Sequence, residues 1–309
     1  KLNATSHVFF FFHFGALRHI ILTFALRNCE NMNRITAYIR QSLQEIYPPE
    51  EVKALSMLIC CDMLGLDALD IYMGKDIILS ECKQRELENI IFRLQKNEPI
   101  QYIRGVAEFC GRNFKVASGV LIPRPETAEL VELIVEENPN ARRLLDIGTG
   151  SGCIAISLDK KLPDAEVEAW DISEEALAIA RTNNEELESR VLFRQRDVLS
   201  DDWEKSPSFD VIVSNPPYVT EAEKDEMEAN VLDWEPALAL FVPDDDPLRF
   251  YRRIAALGRE LLLPEGKLYF EINRAFGREI AYMLEMNQYR DIRVIKDIFG
   301  KDRIVTANR

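Results

Sequence analysis

Histidine is nearly absent: the three in 309 residues are His7, His13 and His19, all within the first twenty positions. The body of the chain therefore holds no Ser-His-Asp or Cys-His pair and no H-E-x-x-H zinc helix, which excludes those chemistries there. Cysteine is scarce as well. Cys29, Cys60, Cys61, Cys82, Cys110 and Cys153 form no C-x-x-C pair and two of them are neighbours, which suits neither a zinc site nor a disulfide framework. No metal is expected, and a reducing, cytoplasmic compartment is. Positive charge is in deficit too. The 38 basic against 52 acidic residues leave −14, which argues against attachment to nucleic acid by phosphate neutralisation.

A long apolar run free of charge is also missing. Val8–Leu26 is mostly apolar, but Arg18 and His19 stand in its middle and would be costly near a bilayer centre. The run Val8–Leu17 lacks a clear cleavage site after it, the sequence opens on Lys1, and Met32 begins a regular amphipathic segment. Residues 1–31 are therefore expected to be an artefact or a misplaced start with initiation at Met32, with a targeting or membrane segment and a genuine extra helix as the alternatives, and no membrane partner is expected.

What is present is a globular composition, 47% apolar and 29% charged, enough for one large core or two modest ones. Ile35, Ile39, Leu43 and Ile46 recur at helical spacing, Pro48-Pro49 interrupt, and Glu50–Leu64 resumes the period. A third helix is predicted over Glu81–Lys96, with Ser80 as N-cap and Asn97-Glu98-Pro99 ending it. Ile100–Val116 reads as two extended runs around Gly111-Arg112, a hairpin leaving the helical part. Beyond Pro125, strand-like Arg143–Ile147, Glu166–Trp170, Val191–Gln195, Phe209–Ser214 and Lys267–Ile272 alternate with helical segments. That alternation predicts a parallel sheet covered by helices, with ligands at the carboxyl ends of the strands.

Asp146-Ile147-Gly148-Thr149-Gly150-Ser151-Gly152 follows the first of these strands and precedes the helical run Cys153–Asp159. Glycines there let backbone turn tightly and approach a ligand without a Cβ in the way. The spacing is not the dinucleotide G-x-G-x-x-G, and Asp146 would be unwelcome beside a pyrophosphate but welcome beside a sulfonium and ammonium group. The loop by itself does not separate S-adenosylmethionine from NAD. Asp171, ending the next strand, is placed to accept both hydroxyls of a ribose, and Asp197, after the third, to reach an adenine amino group.

The apolar strand Val211-Ile212-Val213-Ser214 runs into Asn215-Pro216-Pro217-Tyr218. Two prolines cannot donate to a ladder, so pairing stops and the backbone stiffens. Asn215 Oδ1 and the Pro216 carbonyl can each accept one N–H of a planar, weakly nucleophilic nitrogen and turn its lone pair toward an electrophilic methyl. Tyr218 can form an apolar wall or stack on a planar group. No base is needed before attack, because the proton leaves once the nitrogen is cationic. Catalysis of this kind is orientation and charge placement.

With these motifs the chain resembles class I S-adenosylmethionine-dependent methyltransferases, and among them the HemK/PrmC family, which methylates the glutamine amide of peptide chain release factors. The resemblance runs from about Met32 to the C-terminus. Besides the glycine loop and Asn215–Tyr218 it is carried by Pro99-Ile100-Gln101-Tyr102-Ile103, Leu121-Ile122-Pro123-Arg124-Pro125-Glu126-Thr127, Glu235-Pro236-Ala237-Leu238-Ala239-Leu240-Phe241 and Lys296-Asp297 to Asp302-Arg303. It implies an α/β fold, a Rossmann-like seven-stranded methyltransferase domain over 119–309. A small all-helical substrate-docking domain over 32–98 and a β-hairpin connector over 99–118 precede it.

The resemblance carries binding of S-adenosyl-L-methionine, with S-adenosyl-L-homocysteine as product, to Gly148, Thr149, Gly150, Ser151, Gly152, Asp171, Val198 and Asn215. Asn215, Pro216 and Tyr218 would be catalytic, and with Pro217 would form the glutamine pocket. The partner implied is a release factor, methylated on the Gly-Gly-Gln glutamine to N5-methylglutamine, by an enzyme expected to be a monomer. Arg124 and Glu126 remain divided between function and a salt bridge or helix start. Two other readings stay open: an adenine-N6 or guanine-N2 nucleic-acid methyltransferase using the same tetrapeptide, and a binding module that keeps the fold without the chemistry.

Overall fold

The computed structural model describes residues 33–200 and 208–309. The expectations for residues 1–31, with their three histidines and Cys29, lie outside the described residues. Two compact units divide at Lys96 and Asn97.

The first unit is helical. Arg34–Leu43 starts at Asn33, whose side chain accepts the Thr36 N–H at 2.9 Å, and it buries Ile35, Ile39 and Leu43 along one face. Pro49–Met57 opens on its proline, where no N–H is missed, and its last turn widens into a π-helix over Leu58–Met63. Ser80 caps Glu81–Leu94 as expected, accepting the Lys83 N–H at 3.4 Å. A short helix, Ala68–Tyr72, was not anticipated; Asp67 accepts the Leu69 and Asp70 amides and so nucleates a turn too brief to show periodicity.

The second unit corrects the reading of Ile100–Val116. Ile100–Arg104 is a helical turn, started by Pro99 and stopped by Gly105 at φ 75°. Its β-branched and aromatic residues suggested extension, but burial of Ile100 and Tyr102, and the Tyr102 hydroxyl donating to the Val120 carbonyl at 2.6 Å, decide otherwise. The hairpin is confined to β1 (Val106–Phe109) and β2 (Arg112–Lys115). Its turn is Cys110-Gly111, with φ 47° and 72°, the left-handed pair that a two-residue hairpin requires.

The main sheet comprises β3 (Arg143–Ile147), β4 (Glu166–Asp171), β5 (Leu192–Gln195), β6 (Phe209–Ser214), β9 (Leu262–Glu271), β10 (Arg290–Lys296) and β11 (Asp302–Asn308), in the order β10-β11-β9-β6-β3-β4-β5. β3, β4, β5, β6 and β9 pair in parallel, and β11 runs antiparallel to both its neighbours. Successive residues serve opposite faces: Leu144, Val211, Val213 and Tyr269 pack into one core, Leu145, Ile212, Leu268 and Phe270 into the other. Each face is closed by helices, Thr127–Glu137 and Cys153–Lys161 on the first, Arg249–Leu261 and Gly277–Met286 on the second. Burial on both sides explains why the central strands are nearly unbroken apolar runs. A smaller parallel pair, β7 (Val219–Thr220) with β8 (Phe241–Val242), brackets an excursion after β6 that carries the short helices Ala229–Leu232 and Ala237–Leu240.

Candidate active site

The carboxyl ends of β3, β4, β6 and β9 meet, and the expected residues lie on them. After β3 the chain turns over the end of β4: the Gly148 and Thr149 amides donate to the Trp170 carbonyl at 2.8 and 3.0 Å. The Gly150 amide donates to Asp171 Oδ2 at 2.8 Å, and Ser173 to Asp171 Oδ1 at 2.9 Å. Each Asp171 oxygen thus keeps accepting capacity for a hydroxyl.

The five loop residues have different situations. Gly148 and Gly150 adopt left-handed φ and an added Cβ would meet nothing closer than 3.9 Å, so open space lies before them. Thr149, Ser151 and Gly152 are buried. A Cβ on Gly152 would lie 3.1 to 3.3 Å from Ile156, Ala180 and Phe193, so that glycine serves packing. Asn183, which sequence reasoning missed, ties the loop to the hairpin: its Nδ2 donates to the Ser151 and Lys115 carbonyls while its Oδ1 accepts the Lys115 amide.

Beneath the loop Asp146 is fully buried. Its Oδ2 accepts the Thr149 hydroxyl at 2.6 Å, and Oδ1 has no partner. Burial pushes its carboxyl up to about 7, against the Thr149 hydroxyl and the Ala155 backbone amide and aided by the nearby Asp171 carboxylate. An orphaned acceptor of this kind, under a glycine cradle open to a ligand, fits a group bearing cationic donors. Val198 is half-buried and packs on the core that holds Ile147 and Trp170. Asp197 is exposed and its carboxylate accepts the Leu199 amide at 2.8 Å, a turn cap.

β6 delivers the tetrapeptide. The Ser214 hydroxyl donates to the Ile147 carbonyl at 2.6 Å, locking the ends of β6 and β3 together. The Asn215 carbonyl is the nearest atom to the Gly148 Cβ position, at 3.9 Å, so the two motifs stand side by side. Asn215 and Tyr218 line a cavity of about 200 Å³ whose other walls include Leu121, Arg124, Met227 and Leu240. Two neighbours fix its rim. Buried Glu235 accepts the Ile122 amide at 3.0 Å and pairs with Arg124 at 2.5 Å, and Asn273 donates to the Tyr218 carbonyl at 3.1 Å. Arg124 therefore has a salt bridge and also a place on the cavity wall, while Glu126 stands just before the helix that starts at Thr127.

A sheet with one antiparallel strand between β9 and β10, carrying a glycine loop after β3 and an Asn-Pro-Pro-Tyr end on β6, defines a class I methyltransferase domain. Residues 125–233 match the family described as "Methyltransferase small domain" and 35–105 the "PrmC N-terminal domain". The chain is 84% identical over 278 residues to "Release factor glutamine methyltransferase" of Bacteroides thetaiotaomicron, covering 90% of this chain and all of that protein. Identically named relatives from Flavobacterium psychrophilum and Streptococcus pneumoniae are 42% and 40% identical, covering 87% and 84% of this chain and 95% and 92% of theirs. The chain belongs to the release factor glutamine methyltransferase family. Among the described residues no helix is long and apolar enough to cross a membrane, and no cluster of metal-ligating side chains occurs.

Proposed function

We propose that this protein transfers a methyl group from S-adenosyl-L-methionine to the side-chain amide nitrogen of the Gly-Gly-Gln glutamine of a peptide chain release factor. The observation that carries the reading is the apposition of Asn215 and the glycine loop at the mouth of a cavity that Asn215 and Tyr218 line. Gly148, Thr149, Gly150, Ser151 and Gly152 form the cradle, Asp171 takes the ribose hydroxyls, Val198 lies by the adenine, and Asp146 faces the cationic end. Bound there, S-adenosyl-L-methionine supplies an electrophilic sulfonium methyl. Asn215 Oδ1 and the Pro216 carbonyl accept the two amide protons and orient the nitrogen, and Pro217 and Tyr218 complete the pocket. The amide proton passes to solvent after transfer, in keeping with a site that uses no histidine.

The helical first unit docks the release factor, the hairpin connects it to the methyltransferase domain, and the enzyme works in the cytoplasm as a monomer. A net charge of −14 and the relatives' shared name weigh against a nucleic-acid substrate. The test offers methyl-labelled donor with a release factor, its Gly-Gly-Gln Gln→Ala variant, and total RNA and DNA. Label on the wild-type factor alone is expected; label on nucleic acid, or equal label on the variant factor, overturns the reading.

A further inference from the structure

Two buried side chains beside the cavity have no part in the chemistry above. Glu271, at the end of β9, is 1% exposed, and Thr127, at the start of its helix, is 3% exposed. Thr127 Oγ1 donates to Glu271 Oε2 at 2.6 Å, and the Tyr218 hydroxyl donates to Glu271 Oε1 at 3.3 Å. Thr127 Oγ1 also lies 3.5 Å from Asn215 Nδ2. Burial pushes the Glu271 carboxyl up, while the Thr127 hydroxyl and the Arg303 guanidinium, itself paired with Asp297, favour its ionised form.

Proton counting gives this chain a direction. A carboxylate only accepts, and a hydroxyl has one proton to give. With Glu271 ionised, Thr127 commits its proton to it, and the Thr127 oxygen can then only accept from Asn215. The amide nitrogen must then face Thr127, which turns Oδ1, the acceptor that methylation needs, the other way. At 3.5 Å the last link is long, as catalytic contacts commonly are before substrate docks. The same carboxylate holds the hydroxyl of Tyr218, which also lines the cavity.

We propose that Glu271 and Thr127 are positioning residues: together they set which face of the Asn215 carboxamide meets the substrate amide, and they anchor Tyr218. The proposal rests on the glutamine-methylating reading. A deletion of such an orienting contact acts on turnover rather than on donor binding.

The test compares Thr127→Val, which keeps the shape and removes the hydroxyl, with Thr127→Ser, which keeps the hydroxyl. For each, kcat and KM with a release factor are measured, and the Kd for S-adenosyl-L-homocysteine by calorimetry. Thr127→Val is expected to lose about tenfold or more in kcat with Kd within about twofold, and Thr127→Ser to recover at least a third of wild-type kcat. Glu271→Met, which keeps most of the packing and accepts from neither hydroxyl, is expected to show the same split should the valine variant fold poorly. An active wild type with Thr127→Val or Glu271→Met kcat within twofold of it, or a serine variant no better than valine, overturns the relay alone. A wild type that methylates no release factor overturns the underlying reading and the relay with it.

Discussion

Asp171 Oδ2 accepts the Gly150 amide at 2.8 Å, so the end of β4 and the turn of the glycine loop form one rigid piece. The carboxylate also accepts the Ser173 amide at 2.9 Å, so it holds the loop and the start of the next helix together. With the donor seated as proposed, replacing Asp171 by Ala would remove the acceptors for two ribose hydroxyls, and it releases the Gly150 and Ser173 amides. Charge-assisted hydrogen bonds of this kind contribute about 1.5–3 kcal/mol each. The Kd for S-adenosyl-L-homocysteine should therefore rise at least about 30-fold, a change of about 2 kcal/mol. Calorimetry showing an unchanged Kd would remove Asp171 from the donor site.

Gly150 and Gly152 have the same left-handed backbone but different surroundings, which predicts opposite phenotypes. Gly152→Ala drives a methyl against Ile156, Ala180 and Phe193 and should destabilise the protein by about 1–3 kcal/mol in urea unfolding. Gly150→Ala meets nothing within 4 Å, so its fold suffers only the left-handed φ, about 1 kcal/mol, while the methyl points where a ligand would approach. Donor affinity should fall more for Gly150→Ala than for Gly152→Ala. The reverse ranking would show that the cradle faces elsewhere.

Two of the strands that build the site were legible residue for residue, whereas β9, expected over Lys267–Ile272, runs Leu262–Glu271. β3 and β6 coincide with the runs Arg143–Ile147 and Phe209–Ser214, because a doubly covered strand is a continuous apolar stretch with sharp ends. β10 and β11 left no such mark on periodicity: β10 lies at the sheet edge and is largely exposed, and its partner β11 inserts beside β9 by a pairing no local pattern encodes. Ile100–Arg104 failed for a different reason, since its composition favours strand and only burial and the Gly105 stop make it helical. In the site, glycines and prolines announced themselves through backbone constraint. Glu271 and Asn183 did not, and Thr127 and Glu235 stood in recognisable motifs without a role, because a polar residue acquires its role from a partner 68 to 144 positions away.

Asn215→Ala tests the tetrapeptide. Asn215 is half-buried at the cavity and its amide reaches Thr127 Oγ1 only at 3.5 Å, so the variant should fold and bind donor within a few-fold of wild type. Removing one preorganised hydrogen-bonding group from a reacting centre costs on the order of 10²–10³ in rate. Single-turnover methylation of a release factor at saturating donor reads that number directly. A near-normal rate would assign orientation of the amide to another group.

Asp146 is expected to tie donor binding to pH. In the unliganded protein its carboxyl titrates near 7 instead of near 3.8, because burial penalises the charge more than Thr149 rewards it. A raised carboxyl means that the folded state holds its proton where the unfolded state has released it. The corresponding stability is complete below about pH 4 and is lost as pH climbs through about 7, on the order of 4 kcal/mol in all. Urea unfolding between pH 5 and 8 should show that decline in the wild type and a flatter profile in Asp146→Asn, whose amide cannot ionise. Donor affinity should run the other way. The ionised carboxylate is the partner a cation needs, so affinity rises as pH increases through about 7, and Asp146→Asn should bind more weakly with no such rise. Parallel unfolding profiles in the two proteins would mean that another group carries the titration, and a pH-dependent affinity that survives Asp146→Asn would separate this carboxylate from the donor.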